Sequence, residues 1–184
     1  MTAFVVLIQF AVFAQEPTGD NLITPETTEL SQVYQSSVSL SQKHLNAKAW
    51  IAKNFGDYNS VVKMEDATAG KIIGKGLSQL EPIEQKTQSL VMRFSFNVKY
   101  TFTVDSKEDK FRIKIEDIVI DETIKCLNHN FPETRTSHDI AFYFSQIESN
   151  KGKEVAMRVL QNLESSFKTF FSNLSSAINK EDDF

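Results

Sequence analysis

From Leu90 to Val104 every even position is apolar (Leu90, Met92, Phe94, Phe96, Val98, Tyr100, Phe102, Val104), and the odd positions are mostly polar: Val91, Arg93, Ser95, Asn97, Lys99, Thr101, Thr103. Strand side chains alternate between two faces, so this run predicts one long strand with a buried side and a wet side. A charged turn, "DSKED" (105–109), leads back into Phe111, Ile113 and Ile115. The phase slips at Glu116-Asp117 and resumes at Ile118 and Ile120, as the extra residue of a β-bulge would make it do. A looser alternation of Leu30, Tyr34 and Val38 predicts a first strand. "SVVKMED" (60–66) places Val62 and Met64 on one side, and "DATAG" then connects it to a hairpin partner in "KIIGKGL".

Two helices interrupt the strand pattern. "LSQKHLNAKAWIAKNFG" reads as a helix over 42–55, with Ser41 as N-cap, Leu40 and Leu45 as a hydrophobic staple and Gly56 closing the end. Leu45, Ala49 and Ala52 give its apolar stripe, widened by Ile51 and Phe55, with His44 and Trp50 at the margin. Val155, Val159, Leu163, Phe167, Phe170, Phe171, Leu174 and Ile178 form one stripe on a helix over 152–178. Its polar side lacks the basic character of membrane-surface helices, so the stripe is expected to cover the long strand rather than lie in lipid. Residues 122–139, with Pro132, read as a long loop. The pattern of "IAFYFSQI" (140–147) fits either a strand or a helical turn.

The cluster "GKIIGKG" (70–76) invites comparison with a phosphate loop. Gly70 and Gly74 are separated by three residues instead of four, Gly76 stands where Ser or Thr is required, and no helix follows. Alternation offers another account: Lys71, Ile73 and Lys75 share one face and Ile72, Gly74 and Gly76 the other. Glycines on the helix-covered side would let a neighbouring element approach closely.

"AWIAKNFGDYNSVVKMEDATAGKIIGKG" (49–76), followed by the alternating strand and the charged turn into "KFRIKIEDI", resembles a family of exported bacterial proteins of the Bacteroidetes type. The family is a domain of unknown function with a TATA-binding-protein-like fold. The resemblance spans about residues 29–120 and is carried most specifically by Trp50 with Phe55, Asp66, and Gly70 through Gly76. It implies an α+β fold, a curved antiparallel sheet of about five strands with two helices on one face. It brings no catalytic residues.

The N-terminus adds a location. Residues 3–14, "AFVVLIQFAVFA", are uncharged and too short to span a bilayer. They fit the apolar region of a secretory signal, with Val12 and Ala14 as the small residues before cleavage at Gln15. The expected organisation is a signal peptide over 1–14, a flexible leader over 15–28, one domain over 29–178 and a frayed tail over 179–184. The mature chain, with no transmembrane span, would be periplasmic or extracellular.

A net charge of −4 argues against nucleic-acid binding, and fifteen Phe point to a core of flat rings. A lone Cys126 excludes an internal disulfide. Cys126-x-x-His129 with His138 is too sparse for a zinc site, and no G-x-S-x-G elbow is present. No catalytic, cofactor-binding or metal-binding residue is therefore expected. What remains is a basic set on the sheet face opposite the helices: Lys63, Lys71, Lys75, Arg93, Lys99, Arg112 and Lys114, opposed by Glu65 and Glu116. This face would suit an envelope protein, a glycan or a lipid head group. The expected function is a non-enzymatic binding or scaffolding module of the envelope. The alternative is an envelope hydrolase using the 122–139 loop and Cys126.

Overall fold

The structure, a computed structural model, describes residues 22–150 and 152–181. The expected signal peptide and the first part of the leader lie outside the described residues. The elements run β1 (Glu29–Gln35), α1 (Leu40–Phe55), α2 (Tyr58–Val61), β2 (Val62–Asp66), β3 (Lys71–Lys86), β4 (Val91–Ser106), β5 (Lys110–Cys126), β6 (Thr134–His138), α3 (Ile140–Glu148) and α4 (Lys153–Ile178). The strands form one antiparallel sheet in the order β1-β5-β4-β3-β2, with β6 also paired to β5. The sheet is curved and unclosed, as the sequence implied, with six strands rather than about five.

The alternation in β4 holds: Phe96, Val98, Tyr100, Phe102 and Val104 are buried and face the helices. The phase slip in β5 is a bulge. Lys99 pairs Val119 and Thr101 pairs Glu116, so Asp117 and Ile118 together oppose Tyr100. Asp117 adopts φ 54°, and its carboxylate accepts a hydrogen bond from the Thr101 hydroxyl at 2.7 Å, which holds the residue in this left-handed conformation. Before the bulge the odd residues of β5 are buried, and after it the even ones.

Gly74 and Gly76 do face the core, but a ring is what fills the space above them. An added Cβ would lie 2.3 Å from Phe102 Cζ at Gly74 and 2.3 Å from the Tyr100 ring at Gly76. These glycines sit directly across the ladder from Phe102 and Tyr100, whose rings fold over the bare backbone. Helix α4 then packs on the rings. Phe167 meets Tyr100 edge-on at 5.3 Å, and Phe170 contacts Tyr100, Phe102 and Trp50 at 5.8, 6.0 and 5.5 Å. All eight residues of the predicted α4 stripe are buried, and no described helix is long and apolar enough to cross a membrane.

Several expectations are corrected. Ser39, not Ser41, caps α1, and Leu45, Ala49 and Ala52 are exposed, while Lys43, His44, Ala47 and Ile51 are buried. Two polar side chains set this rotation. Lys43 is fully buried and donates to the Glu108 carbonyl at 2.8 Å, and His44 meets Glu65 at 2.8 Å. Val62 and Met64 are separated by a bulge in β2, so Met64 turns to the outer face. Of residues 122–139 only 127–133 are a loop: β5 runs to Cys126, and β6 pairs back onto Ile120–Ile124. Residues 140–147 are helical. At the end of the expected leader, Ile23 is buried and the Leu22 amide donates to Glu164 Oε1, so this part docks on α4. At the start of the expected tail, Asn46 Nδ2 donates to the carbonyls of Ile178 and Lys180.

Edge coverage is uneven. β2 pairs with β3 only along Lys71–Gly74, whereas β4 pairs with β3 over almost its whole length. From Lys75 to Lys86 the far side of β3 has no strand partner among the described residues.

Replacing Gly74 by Val should cost about 1–3 kcal/mol, because the branched side chain would collide with the Phe102 ring in a packed core. Lys75→Ala, an exposed change at the next position, should cost no more than about 0.5 kcal/mol. Urea denaturation of the two variants checks the contrast, and equal midpoints would show that the ring does not seal Gly74.

Candidate functional site

The described helices that pack on the sheet lie on its Phe96–Phe102 side, which leaves the other face open among the described residues. Six of the seven predicted basic residues project there, but they do not form a free cationic surface. Asp105 takes Arg112 at 2.7 Å and Lys71 at 3.6 Å. Lys75 donates to Thr101 at 2.7 Å and approaches Asp117 at 3.5 Å. Arg93 meets Glu84 at 3.7 Å, Lys99 meets Asp121 at 2.5 Å, and Lys114 meets Glu116 at 2.7 Å and Glu29 at 3.9 Å. Lys63 lies in the β2 bulge and donates to the Ser60 carbonyl.

The expectation that only Glu65 and Glu116 oppose these cations is therefore wrong twice. Asp105, Asp117, Asp121, Glu84 and Glu29 also share the face, and Glu65 does not. Opposite Ile72, Glu65 turns to the helix side. The missed acids carried a legible signal: Asp105 continues the odd phase of β4, and Asp121 falls in the outward phase of β5 once the bulge is counted.

Hydrogen bonds set the protonation of the face. Lys99 and then Ser137 hold the Asp121 carboxyl below its ordinary value, and the Thr101 hydroxyl, helped by Lys75, does the same for Asp117. Asp105 beside Arg112, and Glu116 beside Lys114, raise the two cations. The result is an interlocked pattern of opposite charges that presents little net field. Val33, Leu77, Met64 and Val119 are exposed between the ion pairs. Where β6 leaves β5, an open depression of about 590 Å³ is lined by residues including Asn97, Lys99, Asp121, Thr123, Arg135 and Ser137.

Two polar clusters lie on the helix side. Glu65 accepts from His44, from Lys48 at 3.1 Å and from the Tyr58 hydroxyl at 2.8 Å, tying α1 and α2 to β2. The His44 hydrogen bond first, then those of Tyr58 and Lys48, lower its pKa from 4.5 to about 2 against the opposing effect of burial. In the second cluster, Glu122 is almost fully buried, 3.7 Å from His138 Nε2. Burial pushes the Glu122 carboxyl up. The His138 ring stacks on Phe142 at 3.6 Å, and the buried Tyr143 hydroxyl has no hydrogen-bond partner among the described residues.

The candidate thiol is part of a strand end. Cys126 is 5% exposed, and its Sγ donates to Asn128 Oδ1 at 3.4 Å. Asn128 also accepts from the Val91 amide and donates to the Ser89 carbonyl, which His129 Nε2 meets at 3.2 Å. These contacts fasten the chain after β5 to the start of β4. No group of three potential ligands able to hold a metal occurs among the described residues.

Comparison with known families agrees with this architecture. The profile of the domain of unknown function DUF4468, with TBP-like fold, matches residues 31–121. Residues 31–121 are a domain of that family. Two solved structures share the fold. A DUF4468 family protein from Bacteroides ovatus is 16% identical with a TM-score of 0.54, over 85% of this chain and 88% of that one. A TBP-like protein from Parabacteroides distasonis is 10% identical with a TM-score of 0.57, over 89% of this chain and all of that one. No curated protein matches the chain. The family match ends within β5, so the rest of β5, β6, α3 and α4 lie beyond it, while the two structural matches take in most of the whole chain.

Glu65 stabilises the fold through a depressed pKa, so its contribution is complete above pH about 4.5 and is lost as pH falls through that value toward 2. Glu65→Gln should therefore be less stable than wild type at pH 7 by about 1–3 kcal/mol. The gap should narrow steadily on acidification from pH 4.5 to 2, as followed by denaturation at a series of pH values. Tyr143→Phe removes a hydroxyl that is buried without a partner. It should leave stability unchanged or raise it by up to about 1 kcal/mol, and a large loss in melting temperature would mean that the hydroxyl is bonded after all.

Proposed function

We propose that the protein is a non-enzymatic binding or scaffolding module of the bacterial envelope that docks a protein partner on its open sheet face. The observation that carries this reading is the one-sided architecture: α1 and α4 cover one face of the sheet, and the other is left to solvent across β1, β5, β4 and β3. That face combines exposed Leu77, Val119 and Val33 with ion pairs in register. Its compensated charge fits a partner surface of mixed charge better than a polyanion, because each described cation of β3, β4 and β5 named above already has a carboxylate within 4 Å. Export rests on the 1–14 segment, and the mature chain would then meet its partner in the periplasm or outside the cell.

The test uses chain beginning at Gln15, immobilised and exposed to solubilised envelope from the native host. Val119→Asp should abolish capture of a specific protein by placing a charge at the centre of the face. Met157→Asp, an exposed change on α4, should leave capture intact. Equal capture by both variants, each shown to be folded by circular dichroism, would remove the sheet face from consideration.

A further inference from the structure

The unpaired side of β3 is more specific than an ordinary sheet edge. It starts where the ladder with β2 stops, at Gly74 opposite Val62, and its regular part stops at Pro82, which has no amide proton and lies in a bulge between Leu80 and Ile83. Between these limits lie seven residues, Lys75–Glu81. None of their backbone groups has a hydrogen-bond partner on the far side among the described residues. In an antiparallel ladder every second residue turns both its N–H and its C=O outward, so the window offers a short row of paired donors and acceptors. Natural edges are commonly closed by a bulge, a proline or a charge. Here those devices sit at the ends of the window, and in its middle Leu77 is 62% exposed.

We propose that Lys75–Glu81 is a strand-addition site for an extended peptide segment of about seven residues, running antiparallel to β3. Opposite charges at the two ends of the window set the direction and chemistry of the ligand. Lys63, which lies in the β2 bulge next to Gly74 and has no carboxylate partner among the described residues, calls for an acidic residue at the C-terminal end of the peptide. Exposed Glu81 calls for a basic residue at its N-terminal end. Leu77 and Gln79 lie between them on the outer face and accept aliphatic side chains opposite them. Centred on this window, a second copy of this chain does not fit. Two β3 strands paired antiparallel about Ser78 would place Ile83–Lys86 of one copy along Lys71–Gly74 of the other, where β2 already lies. A free segment without continuing structure avoids that collision.

This inference rests on the reading of the protein as a binding module, but it concerns the edge and not the face, so the two fail separately. The probe is a synthetic heptapeptide, Arg-Thr-Val-Thr-Val-Thr-Glu, with blocked ends, added to the isotopically labelled chain beginning at Gln15. The expected result is slowing of amide exchange by at least tenfold within Lys75–Glu81. Chemical-shift changes should extend to β4 but not to β1. Exchanging the terminal Arg and Glu should weaken binding several-fold, and methylating alternate peptide nitrogens should abolish it. Val119→Asp should leave peptide binding intact even where it abolishes capture of the envelope partner. No protection at millimolar peptide, protection outside the window, or protection that appears without peptide as the protein is concentrated would overturn the proposal, the last in favour of self-association.

Discussion

The fold depends on two aromatic rings whose far ends fill the space over two missing side chains. Tyr100 and Phe102 project from β4 on the core side and turn across the ladder onto Gly76 and Gly74 of β3. Their rings meet Phe167 and Phe170 of α4, and Phe102 also stacks on Phe55 at the end of α1. Aromatic pairs in edge-to-face and offset arrangements gain energy beyond area burial, and they also fix orientation. Both helices are therefore referenced to the same two rings. A β-carbon at either glycine would displace the ring, and with it the surface on which α4 rests.

The same packing explains why the proposed docking surface is on the outside. One side of the sheet is filled with Phe, Ile and Leu packed against the helices. The buried polar groups on that side have structural tasks. Lys43 ties α1 to the turn after β4, and Glu65 gathers His44, Lys48 and Tyr58. Glu122, His138 and Tyr143 crowd together where β6 and α3 join the body. Variation in chemistry is left to the outer face and the strand edges, where side chains can change without disturbing the core.

Long periodic segments were legible from the chain, and short or polar ones were not. β4 and α4 could be read almost residue by residue, because each repeats one period over more than a dozen positions. The β5 bulge was legible as a phase slip between Ile115 and Ile118. The orientation of α1 was not, since its inner side carries Lys43 and His44 and its apolar Leu45 is exposed; tertiary hydrogen bonds decided the rotation. β6 was invisible because "TRTSH" has no apolar residue, and its strand character comes from the ladder with Ile120–Ile124. The basic face was correctly located for most of its members, but reading only one sign of charge made it look uncompensated. A count of Asp and Glu in the same phase would have shown an interleaved surface.

The bulge at Asp117 has a further meaning for how this chain tolerates change in length. β5 is the longest strand and carries three partners: β1 along its first half, β6 along its second, and β4 throughout. The residue inserted at the bulge is what allows the odd-numbered side chains of the first half and the even-numbered ones of the second to enter the same core. Losing that one residue would close the bulge into a regular ladder, with Glu116 still opposite Thr101 and Ile118 opposite Tyr100, so each side chain of the second half would keep its face. Losing two there would invert the second half, sending Ile120 and Glu122 outward and Val119 and Asp121 inward. Position 117 is thus a spare place in the folded chain, where one residue can be lost without changing which side chains enter the core.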